Sequence, residues 1–343
     1  MHAVIVMRYL ARNYVNISVQ LTTILISTVL CNFCRESQAD ERLILVVGAG
    51  GDTEFSEEFG DWGETWRQVA AQQGWQCDVI GPVTSDAAFV EASVSSTGAS
   101  DKELLQRAII STVADQPNRV WVVLIGHGTF AANVAKFNLV GPDLTPEELD
   151  SWIGGIKTQV VLVNCSSSSS PFLTQLSGPH RIIVTATRSG SEINYSRFGK
   201  FMANAIRDST ADIDHDNEVS LLEAFLSASG NTERFYRDDA RLASEHALLD
   251  DNHDKAGTSA DFFSGILPVK KPVDGKELDG REASRIIIFS SENADKLAPD
   301  LVARRDEIER QIDMLRRQKD KMTEESYYNQ LETYLLQIIA LYE

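Results

Sequence analysis

Short apolar runs alternate along this chain with segments whose apolar residues recur at helical spacing. Most of the runs are apolar at consecutive positions, as is typical of strands buried on both faces of a parallel sheet. The candidate strands are Leu43–Val47, Gln76–Ile80, Val120–Ile125, Val160–Val163 and Ile182–Thr185. Thr145-Pro146-Glu147-Glu148 predicts a helix start, with an N-cap, a proline at the first position and a capping-box glutamate. The pattern therefore predicts an α/β fold with an open, mostly parallel sheet and helices on both faces.

The pattern changes in the last quarter of the chain. Pro268–Arg285 is rich in Lys, Pro, Asp and Gly and is typical of a linker before the apolar run Ile286–Phe289. After Pro299 the apolar positions predict two helices that turn near Thr323–Ser326, which together form an α-helical hairpin. We therefore divide the chain into an α/β domain over residues 40–291 and a C-terminal hairpin arm over residues 292–343. Packing against the main domain, self-association and binding of a partner all remain open for the arm.

Residues 1–39 have the order of a signal peptide. Arg8 and Arg12 precede a largely uncharged run, and Ser37-Gln38-Ala39 is a small-residue cleavage site. The same run is long enough to act as an uncleaved anchor, which would attach the protein to a membrane. The sequence thus predicts a secreted or periplasmic protein, with anchoring as the alternative.

Composition narrows the choice of function. The 343 residues include 50 acidic and 32 basic side chains, and the formal net charge is −18. Removal of residues 1–39 takes away a net charge of +2 and leaves −20. An excess of negative charge opposes binding to a phosphate backbone, so we expect no nucleic-acid partner. Cys77 and Cys165 are then the remaining cysteines, too few for a disulfide framework in a chain of this size.

Two chemically versatile side chains follow neighbouring candidate strands. His127 follows Val120–Ile125 within Gly126-His127-Gly128, and Cys165 follows Val160–Val163 at the start of a serine run. Carboxyl ends of parallel strands share one edge of a sheet, and ligands bind there. A helix start within Ser166–Ser170 would favour a thiolate and bind an oxyanion. The pair predicts nucleophilic catalysis with His127 as general acid and base, although either residue alone is more often structural.

These motifs resemble the legumain-like cysteine peptidases and, more distantly, the caspase, gingipain and separase group. The resemblance runs from about Leu43 to Phe263. Its motifs are Gly126-His127-Gly128-Thr129-Phe130, Lys136-Phe137-Asn138-Leu139, Gly141-Pro142-Asp143, Asn164-Cys165-Ser166 and Thr185-Ala186-Thr187, and it is strongest to bacterial secreted members. It implies a caspase-like fold, Cys165 as nucleophile, His127 as acid and base, and an oxyanion hole made by the N–H groups of Gly128 and Cys165.

The resemblance also brings two departures and one expectation about specificity. The asparagine that orients the histidine in legumains is absent here, since its place falls near Gly50. Serines replace the usual surroundings of the cysteine. In the family the loop after the fifth strand shapes the substrate pocket, and Arg188 and Glu192 in this loop would favour cleavage after Asn or Asp. A solvated ion pair is the alternative for these two residues.

A twelve-residue acidic loop begins at Asp212. Its oxygen side chains follow the spacing of an EF-hand calcium loop, with Asn217 in place of the usual glycine. The candidate ligands are Asp212, Asp214, Asp216, Glu218, Ser220 and Glu223. Ser220 and Glu223 equally well form a capping box for the following helix, so a structural calcium ion and a simple cap both remain open. A second acidic stretch, Asp250–Asp254, fits the pattern more weakly when combined with Thr258 and Asp261.

Two functions from different classes follow from the sequence. One is a secreted cysteine endopeptidase that acts on a protein or peptide substrate, requires no cofactor and carries at most a structural calcium ion. The other is a catalytically weak or inactive protein that keeps the fold for binding or scaffolding. A nucleotide site at Gly48–Gly51 is less well supported, because Thr53 stands at the third glycine of the dinucleotide pattern.

Overall fold

A six-stranded sheet forms the centre of the structure, which is a computed structural model describing residues 41–83, 98–270, 277–291 and 298–342. The strands are β1 (Glu41–Val47), β2 (Gln76–Ile80), β3 (Arg119–Ile125), β4 (Gly128–Ala131), β5 (Val134–Phe137), β6 (Gln159–Asn164), β7 (Arg181–Thr185), β8 (Glu218–Ser220), β9 (Leu248–Asp250), β10 (Phe263–Ser264), β11 (Leu267–Pro268) and β12 (Ile287–Ser290). The helices are α1 (Thr53–Gln73), α2 (Asp101–Asp115), α3 (Pro146–Ile153), α4 (Ser170–Leu176), α5 (Phe198–Ala205), α6 (Leu221–Asp238), α7 (Pro299–Gln318) and α8 (Glu324–Ile339). The signal-peptide prediction for residues 1–39 lies outside the described residues.

The main sheet has the strand order β2-β1-β3-β6-β7-β9. Its first five strands are parallel, and β9 pairs antiparallel with β7 at the edge. Alternate residues of each strand enter separate cores: Leu43, Leu45 and Val47 pack on one face, while Ile44 and Val46 pack on the other. The predicted fold class, an open and mostly parallel α/β sheet with helices on both faces and a C-terminal helical segment, is confirmed.

The helix caps that the sequence predicts are present at several helix starts. Thr145 accepts a hydrogen bond from the Glu148 N–H, and the Glu148 carboxylate accepts one from the Thr145 N–H, which completes the predicted capping box at α3. Ser220 and Glu223 form a second capping box at α6. Each box satisfies backbone donors that would otherwise lack partners in the first helical turn.

The C-terminal arm is a helical hairpin made of α7 and α8. Its α7 buries Ile308, Ile312 and Leu315. Ion pairs also join the arm to the main domain, such as Arg317 with Glu277 at 2.6 Å. The outer side of α8 differs, because Leu335 and Leu336 are exposed there. The arm therefore packs through α7 and leaves an apolar side of α8 uncovered by the described residues.

We expect Ile312→Ala to lower the free energy of unfolding by about 2–4 kcal/mol, because Ile312 is 6% exposed and its truncation leaves a cavity. Leu336→Ala, at a residue 58% exposed in the same hairpin, should change that free energy by less than about 0.5 kcal/mol. Urea denaturation followed by circular dichroism measures both values. Equal losses in the two variants would contradict the packing described for α7.

Candidate active site

Parallel pairing of β3 with β6 brings the two predicted catalytic residues to one edge of the sheet. Leu124 of β3 lies opposite Asn164 of β6 in the register of the pair. His127 comes three residues after Leu124, and Cys165 directly follows Asn164. Both side chains lie on the side of the sheet that α1 covers.

The imidazole of His127 is held by a backbone carbonyl and an aromatic surround. Its Nε2 lies 3.1 Å from the carbonyl oxygen of Gly50. A carbonyl oxygen accepts only, so Nε2 carries the hydrogen and donates it, and the lone pair of the neutral ring lies on Nδ1. The ring packs edge-on against Phe55 and Phe59 of α1, with centroids 4.9 and 5.0 Å away, and against Tyr195 at 5.9 Å. The backbone of Gly50 thus orients the histidine at the place where the expected asparagine is missing.

The Cys165 side chain is buried under α5. Only 1% of the residue is exposed. A Cβ atom placed on Gly199 would lie 2.8 Å from the Cys165 Cβ and 2.9 Å from Cζ3 of Trp62, so glycine is needed for this close approach. Trp62 in turn packs on Phe59, whose ring contacts His127. Cysteine and histidine therefore share one aromatic layer, although no hydrogen bond among the described residues joins the thiol to His127.

Burial and a nearby carboxylate raise the pKa of the Cys165 thiol to about 12, with burial the larger cause and Glu245 the second. The sequence predicted the opposite, a thiolate favoured by the positive end of a helix within Ser166–Ser170. A helix does begin within that range, since α4 starts at Ser170, but the thiol is removed from water and its pKa is raised instead of lowered. At neutral pH the side chain is a neutral thiol.

Glu245 occupies the N-terminus of α5 beside the thiol. Its carboxylate accepts hydrogen bonds from the N–H groups of Arg197 and Phe198, at 2.8 and 3.1 Å, and from the Ser196 hydroxyl at 2.6 Å. The Tyr236 hydroxyl donates to the same group at 3.0 Å. Glu245 is 3% exposed, so these donors compensate a buried negative charge. The positive end of α5 is thereby neutralised by a carboxylate instead of acting on the thiol.

The two N–H groups expected to form an oxyanion hole are both engaged. The N–H of Gly128 donates to the Ser167 hydroxyl at 3.2 Å, and the N–H of Cys165 donates to the Leu124 carbonyl at 2.9 Å. A Cβ on Gly128 would lie 2.0 Å from the Ser167 carbonyl oxygen. The serine segment, Ser166–Ser170, therefore passes directly over this glycine. Neither N–H group is available to a substrate in this conformation.

Two buried polar atoms beside the cysteine do lack partners among the described residues. They are the Ser168 hydroxyl and the Asn164 side-chain nitrogen. Ser168 also has a positive φ of 54°, which is uncommon for a residue other than glycine. Backbone strain and unsatisfied donors at one strand end are features that cluster at functional sites.

The two predicted pocket residues lie together, and a histidine missed in the sequence joins them. The Arg188 Nε lies 3.3 Å from a carboxylate oxygen of Glu192, and 61% of the Arg188 side chain is exposed. Glu192 also contacts Nδ1 of His246 at 2.6 Å. Its backbone carbonyl accepts the N–H of Ser168 at 2.9 Å, which places this loop against the serine segment. The exposed guanidinium of Arg188, close to the serine segment that follows Cys165, can donate hydrogen bonds to a carboxylate or amide side chain of a ligand.

The acidic loop brings together only half of its predicted ligands. Carboxylate oxygens of Asp212, Asp214 and Asp216 lie within 4.8 Å of one another. Asn217, at the usual glycine position, has a φ of 69°. Of the other three candidates, Glu218 accepts the Ser290 hydroxyl and Ser220 caps α6. Glu223 completes that cap and also accepts the N–H groups of Ile213 and Asp214 in the loop. Partial burial and the neighbouring carboxylates raise the pKa of Asp214 to about 6.

The sequence analysis missed Glu245 and the aromatic residues around His127. For Phe55 and Phe59 a signal was present: they have helical spacing directly after the turn Gly48–Gly51, which would have placed them over the sheet edge. Tyr195 and Glu245 reach the site from distant parts of the chain.

Comparison with known proteins gives little further guidance. No family model and no curated protein sequence matches the chain. Among solved structures, one similar chain is the Drosophila initiator caspase Dronc, with 11% sequence identity and a TM-score of 0.39. The match covers 65% of this chain and 84% of that chain. A likeness this distant carries no argument about activity.

Over the described residues, no helix is both long and apolar enough to cross a membrane.

We expect Glu245→Gln to lower the pKa of Cys165, because the change removes a negative charge that disfavours the thiolate. Thiolate absorbance titrated against pH measures this value in a background where Cys31, Cys34 and Cys77 are replaced by alanine. Glu192→Gln removes a charge from the neighbouring loop and serves as the control, for which we expect a smaller shift. An unchanged pKa in the Glu245 variant would contradict the electrostatic role given to Glu245.

Proposed function

We propose that this chain is a secreted cysteine endopeptidase whose active site is closed in the conformation described here. The observation that carries the proposal is the position of His127 and Cys165, at the ends of adjacent parallel strands and against one aromatic layer. The lone pair on Nδ1 of His127 supplies the base, because Nε2 is committed to the Gly50 carbonyl. Residues 1–39 would direct export as a signal peptide or, if retained, anchor the protein to a membrane.

The chemistry follows from these two groups. Nδ1 of His127 accepts the thiol proton while the sulfur attacks the carbonyl carbon of a peptide bond. The tetrahedral intermediate then collapses, and the imidazolium returns the proton to the leaving amine. Water, deprotonated by the same imidazole, hydrolyses the acyl-enzyme and restores the thiol. No metal or organic cofactor is needed for this sequence.

Opening of the site requires two movements. The Gly199 backbone and the Trp62 ring must withdraw from Cys165, and the N–H of Gly128 must exchange the Ser167 hydroxyl for the substrate oxygen. The N-terminus of α5 is the element that covers the thiol, and it is preceded by the loop that carries Arg188 and Glu192. A substrate that engages this loop can therefore favour the open state through its binding energy.

The expected substrate is a peptide with Asn or Asp before the scissile bond. Arg188 supports this choice, because an exposed guanidinium donates to either a carboxylate or an amide oxygen. Glu192 pairs with the guanidinium, and His246 in turn contacts Glu192. The strongly acidic chain makes nucleic acid an unfavourable partner.

The burial of Cys165 favours a second candidate, a non-catalytic binding protein. A thiol that is 1% exposed and has a pKa of about 12 is a poor nucleophile as it stands. On this alternative the aromatic layer and the cysteine are core, and the exposed loops bind a partner.

Labelling with an electrophilic peptide probe that carries Asn or Asp next to the reactive group separates the two. For a peptidase we expect stoichiometric attachment to Cys165, loss of labelling in Cys165→Ala and a rate at least about 100-fold lower in His127→Ala. Cys77→Ala is the matched control and should label like the wild type, since Cys77 lies mid-strand in β2. Peptide mapping by mass spectrometry identifies the attachment site.

The binding-protein alternative makes different predictions for the same samples. Cys165 would then remain unlabelled under native conditions, or would react at the same slow rate with and without His127. Either result would contradict the peptidase.

We also propose that the loop beginning at Asp212 binds a structural calcium ion. Its three converging carboxylates suit a cation that takes oxygen ligands, although Glu223 would have to share its capping role with the ion. Calcium in excess over a chelator should then raise the melting temperature, because the ion binds the folded state. Asp216→Asn should reduce that rise. An equal rise in the variant would contradict the assignment of this loop.

A further inference from the structure

A second acidic loop, defined here as Asp250–Thr258, contains a buried carboxylate oxygen without a partner in the described part of the chain. Asp250 ends β9 and is 1% exposed. Its Oδ1 accepts the N–H of His253 at 3.0 Å, which turns the carboxylate into the loop. Its Oδ2 is buried and has no hydrogen-bond partner among the residues that the structure describes. An unsatisfied buried carboxylate oxygen is costly, and such groups are normally paired or coordinate a metal.

Two more buried carboxylates lie beside it. Asp251 and Asp279 are each 3% exposed. Within the described residues, none of the three carboxylates forms an ion pair with Lys or Arg. The structure thus places three carboxyl groups in a dry region where the described residues provide no lysine or arginine partner.

Hydrogen bonds identify Asp279 as the residue that closes this loop. Its Oδ1 accepts the N–H groups of Asp251 and Asn252 at 2.9 and 3.1 Å, the second and third positions counted from Asp250. Its Oδ2 accepts the hydroxyl of Thr258, the ninth position, at 2.6 Å. The N–H of Asp279 donates back to that hydroxyl at 3.2 Å.

Glu223 closes the loop beginning at Asp212 through the same set of contacts. Its Oε1 accepts the N–H groups of Ile213 and Asp214, the second and third positions, at 2.8 and 3.4 Å. The hydroxyl of Ser220, again the ninth position, donates to its Oε2 at 2.8 Å. The N–H of Glu223 donates to the Ser220 hydroxyl at 3.2 Å.

The backbones of the two loops agree as well. The fourth residues, His215 and His253, have φ values of 63° and 69°. The sixth residues, Asn217 and Lys255, have φ values of 69° and 65°. The second loop is therefore a calcium-type loop whose closing carboxylate comes from a distant segment, and this origin conceals it in the sequence. Asp261, the partner considered from the sequence, instead pairs with Lys270 at 2.6 Å.

We propose that the second acidic loop binds a calcium ion through Asp250, Asn252 and Asp254, with Asp279 as the closing carboxylate. Each donor is an oxygen, which suits calcium better than a transition metal. The free Oδ2 of Asp250 supplies a ligand directly. Asp279 retains acceptor capacity, because an ionised carboxylate offers about four acceptor sites and three are used here. The proposal is independent of the peptidase activity.

Calorimetric titration of the full chain with Ca²⁺, after removal of metal with a chelator, tests the proposal. We expect Asp250→Asn to bind one ion fewer than the wild type, or to bind that ion at least about tenfold more weakly. Asp261→Asn removes the same charge nearby and should leave the number of ions unchanged. Asp212→Asn, with the change in the first loop, should remove a different ion, so that the two losses add in the double variant.

The same titration separates the two loops. Loss of an ion in Asp212→Asn alone would overturn the second site and leave the first intact, and no binding by the wild type would overturn both. Circular dichroism in chelator shows whether Asp250→Asn folds. If it does not, Asp254→Asn, at a less buried ligand, decides by the same criterion: an unchanged number and affinity of bound ions overturns the proposal.

Discussion

The lateral pairing of β3 with β6 is the constraint on which the candidate site depends. Parallel register sets Leu124 beside Asn164, so the chain must leave both strands at the same edge and in the same direction. His127 and Cys165 lie within three residues of that pair, whatever the loops do. The other contacts at this edge follow from the same geometry. The Gly50 carbonyl reaches His127 because β1 is the next strand along, and the loop after β7 reaches the serine segment from the opposite side.

Two opposing electrostatic effects act on Cys165, and the sign of their sum decides whether the thiol is reactive. The N-terminus of α5 would stabilise a thiolate by about 0.3–1 kcal/mol at an exposed site and by about 2 kcal/mol when partly buried. Glu245 places a full negative charge on the same N–H groups, in a buried position. A whole charge outweighs the half charge of a helix end, and burial of the sulfur acts in the same direction. Burial is the larger cause of the raised thiol pKa and Glu245 is the second. Glu245 also accepts hydrogen bonds from the first N–H groups of α5, so the electrostatics of the thiol and the stability of this helix are linked.

Local signals predicted the elements, and long-range contacts determined the features that the sequence concealed. The strand Gln76–Ile80 and the cap at Thr145 were predicted at the residue because their determinants are neighbours in the chain. The edge strand β9 was missed because its three residues are too few to show a pattern, and only its antiparallel pairing with the distant β7 makes it a strand. The raised pKa of Cys165 was missed for a similar reason: the burial that mainly causes it comes from Gly199 and Trp62, and Glu245, the second cause, is 80 residues away in the sequence. The type of residue at one position does not reveal which distant segments of the chain pack against it.

Burial distinguishes the two acidic loops more clearly than their sequences do. The first loop has more carboxylates, but Asp214 and Asp216 are exposed to water that can solvate them. The second has fewer, and its Asp250 and Asp279 are buried. Because the pKa of Asp279 is raised from 3.8 to about 7, the folded state retains a proton that the unfolded state releases. The ion-free fold therefore loses stability as pH rises through this range, and a cation that replaces the proton removes the penalty. Asp279 belongs to the segment 277–291, and Asp250 ends the strand beside β7, so an ion here would fasten that segment to the edge of the main sheet.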